Sequence, residues 1–187
     1  MSKLAPYRST AGFTLVEMIV VIMLAVILAL IAAPGWLSFA NSRRAEAGRE
    51  QIFQLLRQAQ TQAIRSRQNQ VVNFIAPPDQ LPAVKIAEDI VQPIDGQDPN
   101  SQGNANLLKL EVSSNAKVGC APDAVGCVVF NDRGNIAIEA NDLGENGIVI
   151  SVSSPADNTN INSRRCVIVK TLLGAMATSS GEDCKLS

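Results

Sequence analysis

The side chains that could carry out chemistry are few, and several classes of site are excluded at once. The 187-residue chain contains no histidine, which removes imidazole catalysis and every histidine-ligated metal centre. The sequence also lacks a P-loop, a dinucleotide fingerprint, a nucleophile elbow and a metal-binding motif. We therefore expect a protein that is not an enzyme and that holds no cofactor and no metal.

Acidic side chains offer two weak candidates for a cation site. Asp132 lies in Asn-Asp-Arg-Gly-Asn, which resembles part of a calcium loop, but the remaining ligands and the distal glutamate do not follow. Turn chemistry explains this segment better. A second group lies in a polar stretch that is better interpreted as a solvated loop: Asp79, Glu88, Asp89, Asp95 and Asp98.

One acid stands apart because it interrupts an apolar run. Residues 13–33 contain a single charged side chain, Glu17. A helix of this length reaches about 30 Å, the thickness of a bilayer's hydrocarbon core, so a membrane-inserted helix is favoured over a buried core helix. A charge at the bilayer centre costs about 2.5–3.5 kcal/mol, and less near the edge. Glu17 is therefore a functional candidate that needs a partner.

The residues around the run indicate its orientation. Residues 1–12 carry Lys3 and Arg8 and no acid, and positive flanks stay cytoplasmic, so the downstream chain is expected on the far side of the membrane. A secretory signal peptide would have a shorter apolar core and a small-residue cleavage site. Here the run is too long, and Pro34 directly after Ala-Ala makes a poor cleavage site. A plain N-terminal anchor would leave Glu17 unexplained.

The segment Gly12-Phe13-Thr14-Leu15-Val16-Glu17 resembles the cleavage motif of class III signal peptides, found in type IV pilins and type II secretion pseudopilins. A short basic leader, a Gly, a Phe, a Glu four residues later and a long apolar run follow in the same order. The resemblance implies that a membrane aspartyl prepilin peptidase cuts between Gly12 and Phe13. It also implies that residues 1–12 are removed and that the same enzyme N-methylates Phe13.

The same resemblance gives Glu17 and Pro34 roles in assembly. Cleavage leaves a free amine on Phe13, and this cation can pair with Glu17 of a neighbouring subunit when helices pack in a filament. Pro34 lies where pilins commonly carry a helix-kinking proline. Pro34 and the glycine after it weaken the helix locally, which fits a kink at the membrane exit and also a joint that bends on packing. Residues 13–34 are thus the expected transmembrane and assembly helix.

Residues 35–69 continue the helix with an amphipathic pattern. Small and apolar residues recur at spacings of three and four, which predicts a stripe that lies against a β-sheet: Ala45, Gly48, Ile52, Leu55, Leu56, Ala59 and Ala63. The opposite face carries six arginines against two glutamates. We interpret it as a solvated face and not as a nucleic-acid patch.

Beyond residue 70 the pattern changes to β. Short apolar or alternating runs predict strands at 71–75, 107–112, 127–130, 136–138, 147–152 and 165–170, with weaker candidates at 84–86 and 172–176. Residues 76–106 are expected to form a long loop. These elements predict an α+β fold in which the long helix packs on a C-terminal antiparallel β-sheet domain of residues 70–187, the pilin fold.

The cysteines fit an exported domain. Cys120, Cys127, Cys166 and Cys184 are even in number and lie outside the helix, which suggests two disulfides in an oxidising compartment. Four cysteines permit three connectivities, and we favour Cys120–Cys127 with Cys166–Cys184 because each bond is then local. A tetrahedral metal site with four cysteine ligands is disfavoured because paired CxxC motifs are missing.

The C-terminal half resembles the H-type pseudopilin and FimT-type minor pilin group. The shared features are a Val-Val-Phe strand, a glycine-containing turn, an Arg-Cys-Val-Ile-Val strand, a later glycine and a late cysteine. FimT-type proteins implicated in DNA uptake carry Gly-Arg-x-Arg after that strand, whereas the matching stretch here is Gly174-Ala175-Met176-Ala177. From residue 71 onward 14 acidic residues oppose 8 basic ones, so we do not expect DNA as a partner.

These observations predict a minor type IV pilin or a type II secretion pseudopilin. It is expected to be cleaved, methylated and stored in the inner membrane with its C-terminal domain in the periplasm, and then to join a pilus or pseudopilus. The expected partners are other pilin or pseudopilin subunits, the prepilin peptidase and the inner membrane. The alternatives are a filament-tip binding module for DNA uptake or adhesion, and a plain membrane-anchored periplasmic domain.

Overall fold

The computed structural model describes most of the chain outside the leader. Described are residues 12–78, 80–86, 90–94, 108–116, 119–137, 143, 146–154 and 161–186, without the side chains of 32–35, 37, 38 and 90. The leader cations Lys3 and Arg8 lie outside the described residues, as do Asp79, Glu88, Asp89, Asp95 and Asp98. The chain divides into two compact units, Met1–Phe39 and Ala40–Ser187.

A long helix, α1, spans Leu15–Ser66 and is continuous through Pro34. It ends where Arg67 adopts a left-handed backbone conformation with a φ of 53°. Near this end Ser66 Oγ donates a hydrogen bond to the carbonyl of Gln62 at 2.8 Å. The helix therefore ends in a left-handed conformation that glycine or asparagine usually adopts, although position 67 is an arginine.

In the first unit the helix exposes its apolar side chains. The large apolar side chains from Phe13 to Ile31 are 47–77% exposed. The rings of Trp36 and Phe39 lie with their centroids 6.1 Å apart. A contiguous apolar surface of this kind marks a site of contact with another protein or with lipid. Among the described residues, no helical stretch combines the length and the apolarity needed to cross a membrane.

In the second unit the described residues form eight strands. They are β1 at Gln70–Ile75, β2 at Ala83–Ile86, β3 at Ile90–Pro93, β4 at Lys109–Val112, β5 at Gly126–Phe130, β6 at Ile148–Ser153, β7 at Arg165–Val169 and β8 at Met176–Ser180. All pairs are antiparallel, and the strands divide into two four-stranded sheets ordered β3-β2-β1-β5 and β4-β6-β7-β8. The predicted α+β class is confirmed, with the strands shared between two sheets.

The second half of α1 and both sheets share one hydrophobic core. Every residue of the predicted helical stripe is buried. The stripe packs with Phe74 of the first sheet and Ile150 of the second, both of which are fully buried. Gly48 allows a close approach, because a Cβ there would lie 3.1 Å from Leu108 Cδ1 and 3.3 Å from Ile94 Cγ2. The helix thus forms the layer on which both sheets are packed.

One polar side chain of the helix holds two turns in place. Gln60 Nε2 donates hydrogen bonds to the carbonyls of Gly134 at 2.9 Å and Gly174 at 3.2 Å. The N–H of Ile136 donates to the carbonyl of Leu172 at 2.8 Å, which joins the two turns directly. Gly174 has a φ of +77°, and a Cβ there would lie 2.5 Å from Gln60 Nε2 and 2.6 Å from the Gly134 oxygen. Backbone conformation and space both require glycine at this position.

One segment expected to be loop contains an additional strand. Residues 90–93 form β3, which pairs only with β2 and so lies at the edge of the first sheet. Pro93 ends this strand, and a proline is tolerated at an edge because its missing N–H has no ladder bond to make. The prediction of a long loop was wrong here because a short edge strand that ends in proline has a loop-like composition.

Two predicted strands are also placed differently. The run 136–138 is reduced to a single bridge between Phe130 and Ile136, and residue 138 lies outside the described residues. The run 172–176 is mostly a turn, and β8 begins only at Met176. The left-handed conformation of Gly174 interrupts an apolar segment that otherwise looks extended.

We predict that Gly174→Ala destabilises the protein by about 1–3 kcal/mol more than Gly119→Ala. Gly119 is a matched control because it has a φ of +78° but no heavy atom within 4 Å of an added Cβ. Both substitutions strain the backbone, whereas only the first forces Gln60 and Gly134 apart. Urea unfolding followed by circular dichroism, on full-length protein in detergent micelles, measures the difference. Equal losses of stability would show that the atoms around Gly174 can move away from the added Cβ without lowering the free energy of unfolding.

Candidate assembly site

The start of α1 is set by a capping threonine. Thr14 Oγ1 accepts a hydrogen bond from the backbone N–H of Glu17 at 3.2 Å, and the Thr14 carbonyl accepts one from Met18 at 3.2 Å. Thr14 is therefore the N-cap, and Thr-x-x-Glu is the spacing of a capping box. Glu17 lies in the first helical turn, where the positive end of the helix dipole favours a carboxylate. The helix start thus holds this carboxylate in the exposed first turn.

The carboxylate of Glu17 is exposed and surrounded by exposed apolar side chains. Phe13, Leu15 and Val16 are 68–77% exposed, and Glu17 forms no ion pair with any described residue. Because the Glu17 side chain is exposed and no described residue pairs with it, a cation from another molecule can reach it. Phe13 and Glu17 thus lie together at the N-terminal end of an apolar helical surface.

Gly12 is not required by the fold of the described chain. A Cβ added there would meet no heavy atom within 4 Å, and its φ lies outside the range that favours glycine. Glycines that a fold needs look different, as Gly174 shows with contacts of 2.5 and 2.6 Å. The fold of the described residues therefore makes no demand for glycine at position 12.

The N-terminal segment is similar to a known family motif. Residues 7–33 match a family model described as the prokaryotic N-terminal methylation motif. Residues 7–33 therefore carry a prokaryotic N-terminal methylation motif. The match begins in the basic leader and spans Gly12, Phe13, Glu17 and the apolar run, so it covers the same residues that carry the resemblance in the sequence.

Two solved structures are similar in fold to most of this chain. Both are crystal structures of the type IV minor pilin FimU of Pseudomonas aeruginosa strain PAO1. In space group P21 the identity is 14% and the TM-score 0.49, with coverage of 79% of this chain and 99% of FimU. In space group P65 the corresponding values are 13%, 0.46, 75% and 99%. No curated protein sequence matches significantly. The description of the fold given above therefore depends on the helix and sheets of this chain alone.

The four cysteines of the chain form two disulfides. Cys120–Cys127 and Cys166–Cys184 have Cα–Cα distances of 5.3 and 5.6 Å, within the usual range for a disulfide. The structure therefore contains the local pairing favoured from the sequence, and the described residues include no group of side chains that could hold a metal ion. Asp132 belongs to a turn in which Asn131 Oδ1 accepts the N–H groups of Arg133 and Asn135.

The second disulfide lies in a small apolar cluster of its own. Cys166 and Cys184 are fully buried and pack with Val149 and Ile168, on the face of the second sheet opposite the main core. Cys184 ends the 3-10 turn Gly181–Cys184, so the bond fastens the C-terminal segment across β7. This disulfide therefore holds the C-terminal segment over the outer face of the second sheet.

The adjacent arginines near β7 are occupied within the domain. Arg164 Nη2 lies 3.7 Å from Glu111 Oε2, and Arg165 Nη2 donates to Ser42 Oγ at 3.2 Å. Arg165 Nη1 also donates to the carbonyls of Asn162 and Arg164, at 3.0 and 3.1 Å. These groups position β7 against the helix and against β4, which makes them poor donors for the phosphates of DNA.

Thr14 is the one residue of the N-terminal site that sequence reasoning did not single out. Thr14 lies within the Gly-to-Glu segment, and the spacing Thr-x-x-Glu before an apolar run is the capping-box signal that could have identified it. Pro34 stays a predicted assembly residue. It lies within α1, and its side chain lies outside the described residues.

We predict that Cys166→Ala with Cys184→Ala destabilises the protein more than Cys120→Ala with Cys127→Ala. A disulfide typically contributes about 2–4 kcal/mol, and more when it closes a longer loop. The sequence separations are 18 and 7, and the longer link also holds the buried cluster around Val149. Thermal unfolding of both double variants in micelles ranks the two bonds. Free thiols in wild-type protein from an oxidising compartment would contradict the pairing itself.

Proposed function

We propose that this chain is a minor type IV pilin or a type II secretion pseudopilin, a prepilin-peptidase-processed subunit of an extracytoplasmic filament. Its role is that of a structural subunit and not of an enzyme. The observation that carries the proposal is the methylation-motif match at residues 7–33, with Gly12, Phe13 and Glu17 in the expected order. The capped and exposed first helical turn supports the role given to Glu17.

The mechanism of assembly follows from two charges that are costly when alone. Cleavage after Gly12 creates a cationic amine on Phe13, which is poorly solvated among packed apolar helices. Glu17 of a neighbouring subunit is the complementary charge, and pairing offsets the desolvation of both groups. The Phe13 amine lies at the positive end of its own helix dipole, which disfavours a cation. The carboxylate of a neighbouring subunit is therefore a better partner for this amine than its own helix start. The pair fixes the register of one helix against the next.

The exposed apolar surface of residues 13–31 then has two successive environments. Before assembly we place residues 13–34 in the inner membrane, with the domain after Phe39 in the periplasm. In the filament the same side chains pack against the helices of neighbouring subunits. Other pilin or pseudopilin subunits and the prepilin peptidase are the proposed partners. DNA is not among them, because Arg164 and Arg165 are engaged inside the domain.

We predict that mature protein begins at N-methyl-Phe13 and that Gly12→Val leaves the leader attached. A β-branched side chain would crowd the approach of the peptidase's carboxylates to the scissile backbone, whereas the chain's own fold has room for a Cβ at this position. Intact-mass measurement of membrane-extracted protein decides between the two forms. Gly35→Val is the control, since it makes the same change away from the scissile bond. A mature start near residue 34 would refute processing as a pilin.

We predict that Glu17→Ala lowers incorporation into filaments and leaves the second unit folded. The neighbour's amine loses its counter-charge, while Glu17 makes no ion pair with any described residue that the fold would miss. The measurement is the amount of subunit in sheared filament fractions relative to the cell. Glu50→Ala is a matched control, because this exposed acid lies on the same helix outside the apolar run. Equal incorporation of Glu17→Ala and wild type would exclude the role given to Glu17.

A further inference from the structure

A polar cleft lies on the outer face of the first sheet, away from the core. Its volume is about 490 Å³, within the range of roughly 300–1,000 Å³ typical of small-molecule sites. Val72 and Phe74 of β1 face the core, so Asn73 between them faces outward and lines the cleft. The register places Asn73 beside Lys85 of β2 and Cys127 of β5.

The amide of Asn73 is oriented toward the cleft by a hydrogen bond on its other side. Asn73 is 7% exposed, and its Oδ1 accepts the backbone N–H of Ala121 at 3.0 Å. Only the amide oxygen can accept that bond, so the position of Nδ2 is fixed by it. Among the described residues Nδ2 has no acceptor. The fold does not bury Nδ2 without a partner, so this donor reaches the cleft, where water or a ligand can accept its hydrogen bond.

The positive charge of the cleft is also unbalanced. Lys85 is half-buried, and no described carboxylate lies within ion-pair distance of it. None of the described residues that line the cleft is acidic, although acidic residues exceed basic ones in this part of the chain. The lining therefore consists of one cation and several side-chain amides, including Gln68 and Asn69 at the rim. Such a lining favours a ligand with a single negative charge.

The wall of the cleft is covalently fixed. Residues 119–121 form one side, and the Cys120–Cys127 bond links this wall to β5, the strand next to Asn73. The hydrogen bond from Ala121 to Asn73 adds a second connection between wall and floor. A wall held by two links loses little conformational entropy when a ligand binds.

We propose that this cleft binds a carboxylate-bearing sugar, a hexuronic acid unit, through Lys85 and Asn73. The ammonium of Lys85 pairs with the carboxylate, and Asn73 Nδ2 donates to an oxygen of the ligand. The rim amides can both donate and accept, which matches sugar hydroxyls. A simple anion would leave these amides unused, and a polyphosphate or nucleic-acid backbone would need several cations where the cleft has one. The inference is independent of the proposed role in a filament.

The test uses full-length protein in a detergent without a sugar headgroup, titrated by calorimetry with galacturonate, galactose and acetate. Galacturonate is expected to bind at least about tenfold more tightly than either fragment, because charge-assisted and amide hydrogen bonds act together. Polygalacturonate distinguishes the source of the sugar unit, since tighter binding per unit by the polymer indicates a polysaccharide and equal binding indicates a free sugar acid. Either result supports the proposal.

Two variants separate the ligand contacts from stability. Asn73→Asp keeps an oxygen for the Ala121 N–H but replaces the donor in the cleft with a negative oxygen, so galacturonate binding should fall at least about tenfold. Lys85→Gln should give a similar loss, while Lys170→Gln, which removes an exposed charge elsewhere, should leave affinity unchanged. Acetate binding as tight as galacturonate would overturn the sugar assignment. Absence of galacturonate binding, or unchanged affinity in both cleft variants, would overturn the site.

Discussion

The contact between the second half of α1 and both sheets is the constraint on which the domain depends. The helix approaches the sheets closely because its buried stripe contains small residues at regular intervals, and Gly48 is the clearest case. A methylene added at such a seam forces strain into a close-packed interior. Gln60 fixes the seam further by bonding to the carbonyls of two turns. The sheets are therefore positioned by the helix, and the strands carry the loops and the cleft.

The same helix carries two surfaces with different requirements. In residues 45–63 one stripe is buried within the chain, whereas in residues 13–31 the apolar side chains are exposed all round. Folding buries the first surface, whereas the second stays exposed and available to other molecules. Because the two surfaces occupy different stretches, a substitution at Glu17 removes no contact of the core. This separation explains how a subunit can fold as a unit and still have an unsatisfied apolar surface.

Much of the fold could be predicted because burial leaves a periodic pattern. The helical stripe repeats every three or four residues, and strands such as β6 and β7 have dense runs of β-branched residues that are buried. The N-terminal site was predictable for another reason, since the segment from Gly12 to Glu17 is contiguous in sequence. The disulfides were favoured only because local pairing is simpler, and no spacing rule required them.

The remaining features depend on contacts that sequence spacing does not encode. The strand β3 is short, lies at an edge and ends in proline, so its composition is that of a loop. Arg67 ends the helix in a conformation that its residue type does not favour. The cleft brings together residues from the helix end, two strands and a disulfide loop, which are far apart in sequence. Only the pairing register reveals that Asn73 and Lys85 are neighbours.

Net charge was a poor guide to the local chemistry of the sheet domain. The acidic excess argues against a polyanion as partner, but two of these acids form ion pairs within the domain. Glu111 contacts both Lys109 and Arg164, and Glu182 pairs with Lys185. Lys170 and Arg133 are exposed, so bulk water weakens their fields. Lys85 differs from these groups because it is half-buried in a cleft whose described lining contains no carboxylate. A single charge in that setting attracts an anion more strongly than several charges on an open surface, so a domain with a net negative charge can still have a site selective for one carboxylate.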